Sequence, residues 1–231
     1  MSMGIDVRFT TETVRLHRGQ GKPGERVLSA GEEQILATYL LAHRDPYCIG
    51  ILLSLFTGIR LGELCALRWD DVNLEGGVLH ISRTLQRIKA GSAPGCGTKI
   101  VETPPKSISS HRSIPLVGKL REVLLGQEKP GAYILSGDDS HPVEPRRMDR
   151  HFKKILRACG IKETNFHTLR HTFGTRCIEA GMDPKTVSEL LGHGNVSITL
   201  DWYVHPSMEH KAENIELLSD LLTVKDCGQE T

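Results

Sequence analysis

The chain has 231 residues, of which 39% are hydrophobic and 25% charged, which is typical of a globular protein with one sizeable core. No stretch approaches the roughly 18 apolar residues of a membrane span, and the N-terminus lacks the basic and then apolar pattern of a signal peptide. These features argue against a membrane protein and predict a cytoplasmic one. The six cysteines form no C-x-x-C pair, which also argues against a zinc ribbon.

The net charge of +1 conceals an uneven distribution along the chain. Residues 79–121 and 144–176 are strongly basic, whereas residues 29–78 and 207–231 are acidic. If the two basic blocks meet on one face of the protein, that face would attract a polyanion such as nucleic acid. On charge alone, solvated basic helix faces without any ligand remain the alternative.

The predicted elements are mostly helical, and several helix starts carry recognisable caps. Ser29 and Glu32 form a capping box, while Asp45-Pro46 opens a second helix that is apolar nearly all round and therefore buried. The predicted helices span residues 29–44, 45–57, 61–67, 117–125, 145–159, 168–180, 183–192, 197–204 and 207–222.

Three segments rich in alternating and β-branched residues predict strands. The fold class is thus mainly α with a small three-stranded antiparallel sheet, formed by residues 78–87, 99–103 and 112–116. We divide the chain into a linker or arm (1–27), a main domain (28–206) and a C-terminal helix with its tail (207–231).

Two arginines have the surroundings expected of phosphate ligands. Arg60 follows the helix break Thr57-Gly58, and Arg170 lies at the start of a predicted helix, three residues after His167. A planar guanidinium binds two phosphate oxygens and keeps its charge at every relevant pH. His167 and Arg170 share one helix face, so both can reach the same phosphate.

A tyrosine near the end of the chain is the candidate nucleophile. Tyr203 follows Gly192-His193 by ten residues, and a phosphotyrosyl bond would conserve the energy of a broken phosphodiester. The free phenol has a pKa of about 10 and needs a base at neutral pH. His167 is the candidate for that base.

Taken in order, these segments resemble the tyrosine recombinase (phage integrase) family, most closely the integrases of conjugative transposons, over residues 28–222. The resemblance implies a site-specific recombinase that integrates or excises a mobile element through a 3′-phosphotyrosyl intermediate, without metal or cofactor. It makes Lys106, in the turn between the second and third strands, the general acid, and gives His193 a supporting role at the scissile phosphate. The implied catalytic set is Arg60, Lys106, His167, Arg170, His193 and Tyr203.

The resemblance also implies the partners. These are double-stranded DNA, three further protomers assembled on two DNA sites, and accessory DNA-bending or excision factors. The C-terminal helix 207–222 would dock on a neighbouring protomer, with packing inside its own chain as the alternative. Family members usually carry a core-binding domain before the catalytic one, so the chain is expected to be a fragment or an unusually short member. The predicted DNA contacts are Arg83, Arg112, Arg146, Arg147 and Arg150.

Two other functions stay open on the sequence. A type IB topoisomerase would share the chemistry but relax supercoils without a partner site. A DNA-binding module without catalysis would be expected to lack part of the catalytic set, which is complete here. Histidines four residues apart, as at His167 and His171, also occur in metal sites, but neither the surrounding sequence nor a third ligand supports that interpretation.

Overall fold

The computed structural model describes residues 26–90, 97–104 and 110–203, together with the single positions Ala212, Ile215 and Glu216. Helices dominate and the sheets are small and antiparallel, so the fold class is as predicted from the sequence. None of the helices in these ranges has both the length and the apolar character needed to cross a bilayer. Apart from those three positions, the predicted helix 207–222 lies outside the described residues, as do residues 1–25.

The helices begin and end at the predicted signals. In the capping box, the Ser29 hydroxyl accepts from the Glu32 N–H, and the Glu32 carboxylate accepts from the Ser29 N–H at 3.0 Å. The Asp45 carboxylate likewise accepts from two backbone N–H groups in the first turn of the next helix. The bounds are α1 (Ala30–His43), α2 (Pro46–Thr57), α3 (Leu61–Ala66), α4 (Gly118–Leu124), α5 (Pro145–Ala158), α6 (His167–Glu179), α7 (Pro184–Leu191) and α8 (Val196–Tyr203).

The strands form two antiparallel sheets, so the prediction that the three segments make a single sheet is wrong. The segment predicted as one strand is interrupted at Ser82 and Arg83, and its two halves enter different sheets. A two-residue strand, too short for a periodic signal, completes the three-stranded sheet β1-β2-β5, while β3 and β4 form a separate two-stranded ladder. The bounds are β1 (Val72–Asn73), β2 (Val78–Ile81), β3 (Thr84–Lys89), β4 (Thr98–Thr103) and β5 (Arg112–Pro115).

The separation of the two sheets follows from their burial. In β2 the residues Leu79 and Ile81 are buried, and Leu79 pairs with the buried Ile114 of β5. The outer half of β3 is exposed at Arg87 and Ile88. β2 and β5 therefore join the core along their length, whereas β3 contributes Leu85 to it and its outer half pairs with the largely exposed β4.

The central helix α2 organises the core and directs the chain toward the site. It packs against α1, α4, α5 and α6, and its residues are buried nearly all round. Gly58 ends it with a φ of +64°, and a Cβ there would lie 2.6 Å from the Phe173 ring. A Cβ on Gly62 would lie 2.7 Å from the Leu85 carbonyl oxygen. The turn between these glycines is therefore held between α6 on one side and β3 on the other.

Candidate active site

Arg60 occupies the turn that the two glycines hold. It is the N-cap residue of α3, with an extended backbone. Its Nη1 donates to Glu63 Oε1 at 2.9 Å, and its Nη2 donates to the Gly192 carbonyl oxygen at 3.0 Å. The side chain remains 36% exposed. Arg60 is thus fixed on its inner side and accessible on its outer side.

The first turns of α6 carry His167, Arg170 and His171, and Arg170 contacts the turn that holds Arg60. Arg170 is only 2% exposed, and its Nη1 donates to the Gly58 carbonyl oxygen at 2.8 Å, two residues before Arg60. The His167 and His171 rings meet edge to face, with centroids 4.6 Å apart. The predicted sharing of one helix face by His167 and Arg170 is confirmed by the bounds of α6.

His193 follows directly after α7. Gly192, with a φ of +65°, ends that helix, and the His193 N–H donates to the Ser188 carbonyl oxygen at 3.0 Å. The His193 Nδ1 lies 2.9 Å from the Thr199 hydroxyl of α8. This contact orients the imidazole and links it to the helix whose last residue is Tyr203. The side chain of Tyr203 lies outside the described part of the chain, and so does all of Lys106.

The histidines at this site are held neutral. Burial lowers the pKa of His167, and the charges of Arg170 and Arg60 lower it further. Burial and the same two arginines, with smaller contributions from His167 and Arg112, lower the pKa of His193 to about 3. A neutral imidazole can accept a proton, which is what a general base must do. The contacts of Arg60 with the carbonyl before His193 and of Arg170 with the Gly58 carbonyl bring these arginines and histidines to one site.

The lowered histidine pKa values predict that acid destabilises the fold. Burial, His167 and Arg170 lower the pKa of His171 to about 4, so between pH 6.5 and 4 the unfolded chain binds more protons than the folded one. The free energy of unfolding is therefore highest above pH 6.5 and falls as the pH drops. Allowing for solvent screening at His193, we expect a loss of about 2 kcal/mol between pH 7 and pH 5.

Urea denaturation at the two pH values measures this loss. His171→Gln should reduce the pH dependence, whereas His80→Gln, a change at an exposed residue of β2, should leave it intact. An equal or higher free energy of unfolding at pH 5 would show that the buried histidines are not neutral.

The five predicted DNA contacts divide into two groups. Arg146, Arg147 and Arg150 are exposed on the first turns of α5. Arg83 instead pairs with Asp71 at 2.5 Å, and Arg112 pairs with Glu63 and is 6% exposed. Two of the exposed arginines, Arg146 and Arg150, border an open cleft of about 700 Å³, whose other lining residues are Leu61, Arg87, Glu144, Pro145 and Asp149.

The sequence predicts Glu63 to brace the site or pack locally and Arg112 to contact DNA, but it does not predict that the two form a buried ion pair. Glu63 stands three residues after Arg60, and this spacing could have indicated a capping contact at the start of α3. Its carboxylate accepts from the Arg60 N–H at 2.9 Å. No sequence signal indicates that Arg112 is buried, because its burial depends on how β5 is placed against α3 and α7.

Comparison with known proteins gives a consistent picture. The model of the phage integrase family matches residues 26–210. A tyrosine recombinase XerC-like protein of Caldanaerobacter subterraneus is 33% identical over 189 residues, covering 74% of this chain and 48% of that protein. For the tyrosine recombinase XerA of Pyrococcus furiosus the identity is 30% over 178 residues, covering 74% of this chain and 55% of that protein. The chain spans about half the length of these curated relatives.

Solved structures share the fold. The Tn1549 transposon integrase in complex with a circular intermediate DNA superposes with a TM-score of 0.67 at 25% identity, covering 87% of this chain and 68% of that one. The XerH site-specific recombinase bound to its difH substrate superposes with a TM-score of 0.58 at 19% identity, covering 83% of this chain and 53% of that one. The second likeness concerns the fold alone.

Proposed function

Because the chain belongs to the phage integrase family, we propose that it cuts and rejoins double-stranded DNA as a tyrosine site-specific recombinase. The observation that carries this proposal is the convergence of Arg60, His167, Arg170 and His193 from three separate segments, next to the helix that ends at Tyr203. The Tn1549 transposon integrase, solved with circular intermediate DNA, supports integration or excision of a mobile element as the overall reaction.

In this mechanism Arg60 and Arg170 bind the scissile phosphate. Each guanidinium is fixed by a backbone carbonyl, that of Gly192 and that of Gly58 respectively. Charge that grows on the phosphoryl oxygens during attack is stabilised by cations that are already in position. Because neither arginine has to reorganise, the interaction is strongest when the extra charge appears.

Tyr203 supplies the nucleophile, and three other groups handle protons and orientation. The phenol oxygen bonds to phosphorus as the bond from phosphorus to the 5′-oxygen breaks. His167, held neutral, takes the phenol proton, and His193 supports the phosphate from its position beside Arg60. Lys106 gives a proton to the departing 5′-oxygen, a contribution typically worth about 10²–10⁴-fold. Attack by a 5′-hydroxyl of a partner strand reverses these steps and seals the exchanged DNA.

The DNA would lie across the exposed basic side of α5. We assign Arg146, Arg147 and Arg150, which are exposed there, to contacts with the DNA phosphates, which supply most of the salt-dependent affinity. Arg83 and Arg112 are engaged within the protein, and we assign them to internal support instead. The proposal further includes assembly of four protomers on two sites, assistance by accessory DNA-bending or excision factors, trans docking of residues 207–222, and action in the cytoplasm.

Covalent trapping tests the proposed function directly. The folded chain is incubated in EDTA with duplexes that carry element ends and a nick beside the cleavage position, so that the short released strand diffuses away. We expect a protein–DNA adduct on a denaturing gel, with a free 5′-hydroxyl on the released strand and with Tyr203 as the linked residue in peptide mapping. Absence of an adduct on every duplex, or linkage at another residue, would contradict the proposal.

A further inference from the structure

A buried carboxylate lies between two arginines next to the candidate active site. Glu63 is 3% exposed in its side chain, and both its oxygens accept from the Arg112 guanidinium, at 3.1 Å and 2.9 Å. The same carboxylate accepts from the backbone N–H and from Nη1 of Arg60, each at 2.9 Å. Burial alone would raise the pKa of Glu63, but the hydrogen bonds and charges of the two arginines outweigh it and keep the group ionised.

Arg112 differs from Arg60 in what else it contacts. Its Nε donates to the Leu190 carbonyl oxygen at 2.7 Å, and its Nη1 also reaches the Ser110 carbonyl oxygen at 3.2 Å. With a side chain only 6% exposed, it is directed into the protein. Arg112 therefore connects β5, the start of α3 and the last turn of α7, which leads to His193.

The charges in this cluster determine how much positive charge Arg60 presents to a bound phosphate. Arg60, Glu63 and Arg112 together carry a net charge of +1. Without Arg112, the carboxylate would neutralise Arg60 alone and would hold it more tightly, since the Glu63 carboxylate is buried and little water screens its charge on that side. Arg60 would then present little positive charge at its exposed side.

We propose that Arg112 is a positioning residue that acts through Glu63, balancing the buried carboxylate so that Arg60 keeps its positive charge for the scissile phosphate. The inference rests on the proposed function and assigns Arg112 a role other than DNA contact. It requires that loss of Arg112 impairs the stabilisation of phosphate charge while leaving DNA affinity unchanged.

The test compares two DNA substrates that differ in charge at the scissile position. Arg112→Met should slow adduct formation on the natural phosphodiester by about 10²-fold, the loss typical of one group that stabilises transition-state charge. On a methylphosphonate, which carries no charge for Arg60 to balance, the variant should cleave within about fivefold of the wild type. Its Kd for DNA should stay within about threefold, because no phosphate contact is removed.

Two control variants are measured on the same two substrates. Arg60→Ala should show the same selective rescue on the methylphosphonate. Arg121→Met removes another arginine that binds backbone carbonyls, those of Leu74 and Glu75, and should match the wild type on both substrates. An equal loss on both substrates in Arg112→Met would reduce its role to general stability. Weakened DNA binding with normal cleavage at saturation would make Arg112 a DNA contact, and either result overturns the inference.

A double variant distinguishes the loss of charge balance from a loss of stability. Removing one partner of a buried ion pair is costly, whereas removing both is often tolerated. Adding Glu63→Gln to Arg112→Met should therefore restore stability to urea and raise cleavage of the phosphodiester by about tenfold over the single variant. If the single variant does not fold, Arg112→Gln, which removes the charge but keeps two N–H donors for the backbone carbonyls, and the double variant are compared on the two substrates, and absence of selective rescue in Arg112→Gln overturns the inference.

Failure of the proposed function would be seen separately. If the wild-type chain forms no adduct, the same variants are titrated with inorganic phosphate and followed by NMR. Inorganic phosphate is largely a dianion near neutral pH, so it resembles the transition state in charge more than the monoanionic DNA diester does. Arg112→Met should bind it about tenfold more weakly than the wild type, with recovery in the double variant. Equal affinities would overturn the inference independently of any cleavage.

Discussion

The Tyr203→Phe variant is expected to form no covalent adduct while binding DNA with unchanged affinity. Phenylalanine keeps the ring, so α8 and its contacts with α6 and α7 should persist. It lacks the oxygen that bonds to phosphorus, so the phosphotyrosyl link cannot form. Trapping on nicked duplexes measures the adduct, and a gel-shift titration measures the affinity.

The matched controls are other tyrosines that lose the same hydroxyl. Tyr39 stacks on His43 with ring centroids 3.9 Å apart, and Tyr47 stacks on His151 at 4.1 Å. Both contacts use the ring rather than the hydroxyl, so Tyr39→Phe and Tyr47→Phe should cleave like the wild type. Residual adduct in Tyr203→Phe would identify a different nucleophile.

Local signals made most of the helices predictable. Helix-start and helix-end signals act within one helical turn, so they can be recognised in a single sequence. Examples are the capping box at Ser29, the Asp45-Pro46 start of α2 and the glycine after α7. The spacing of His167 and Arg170 likewise predicts that they share a helix face. The placement of this pair beside Arg60 and His193 is expected only through the family resemblance, because the contacts that create it join residues more than 100 positions apart, as between Arg170 and Gly58.

Strand pairing and the burial of arginines were not predictable in the same way. The register of β2 against β5 depends on which face reaches the core, and the break at Ser82 and Arg83 changes that face without any glycine or proline to mark it. An arginine in a strand is ordinarily exposed. Arg112 is buried because Glu63 meets its guanidinium from a helix 49 positions away, and such a partner cannot be identified from composition or periodicity.

The Arg170→Ala variant is expected to lower the rate of adduct formation by about 10³-fold at saturating DNA, which is the upper range for loss of one preorganised charge-stabilising group. Arg170 is almost fully buried and is fixed by the Gly58 carbonyl, so its charge is screened by little water and acts strongly on a bound phosphate. Arg170→Lys should recover only part of the rate, because an ammonium cannot bind two phosphate oxygens in one plane.

Chemical rescue distinguishes this role from a structural one. Truncation at Arg170 leaves a cavity of guanidinium shape beside Gly58, so millimolar guanidinium should restore part of the activity of Arg170→Ala and none of that of Tyr203→Phe. Arg146→Ala, a change at an exposed residue of α5, should instead weaken DNA binding and its salt dependence while leaving cleavage at saturation intact. A normal cleavage rate in folded Arg170→Ala would remove Arg170 from the phosphate site, and with it the electrostatic basis of the mechanism.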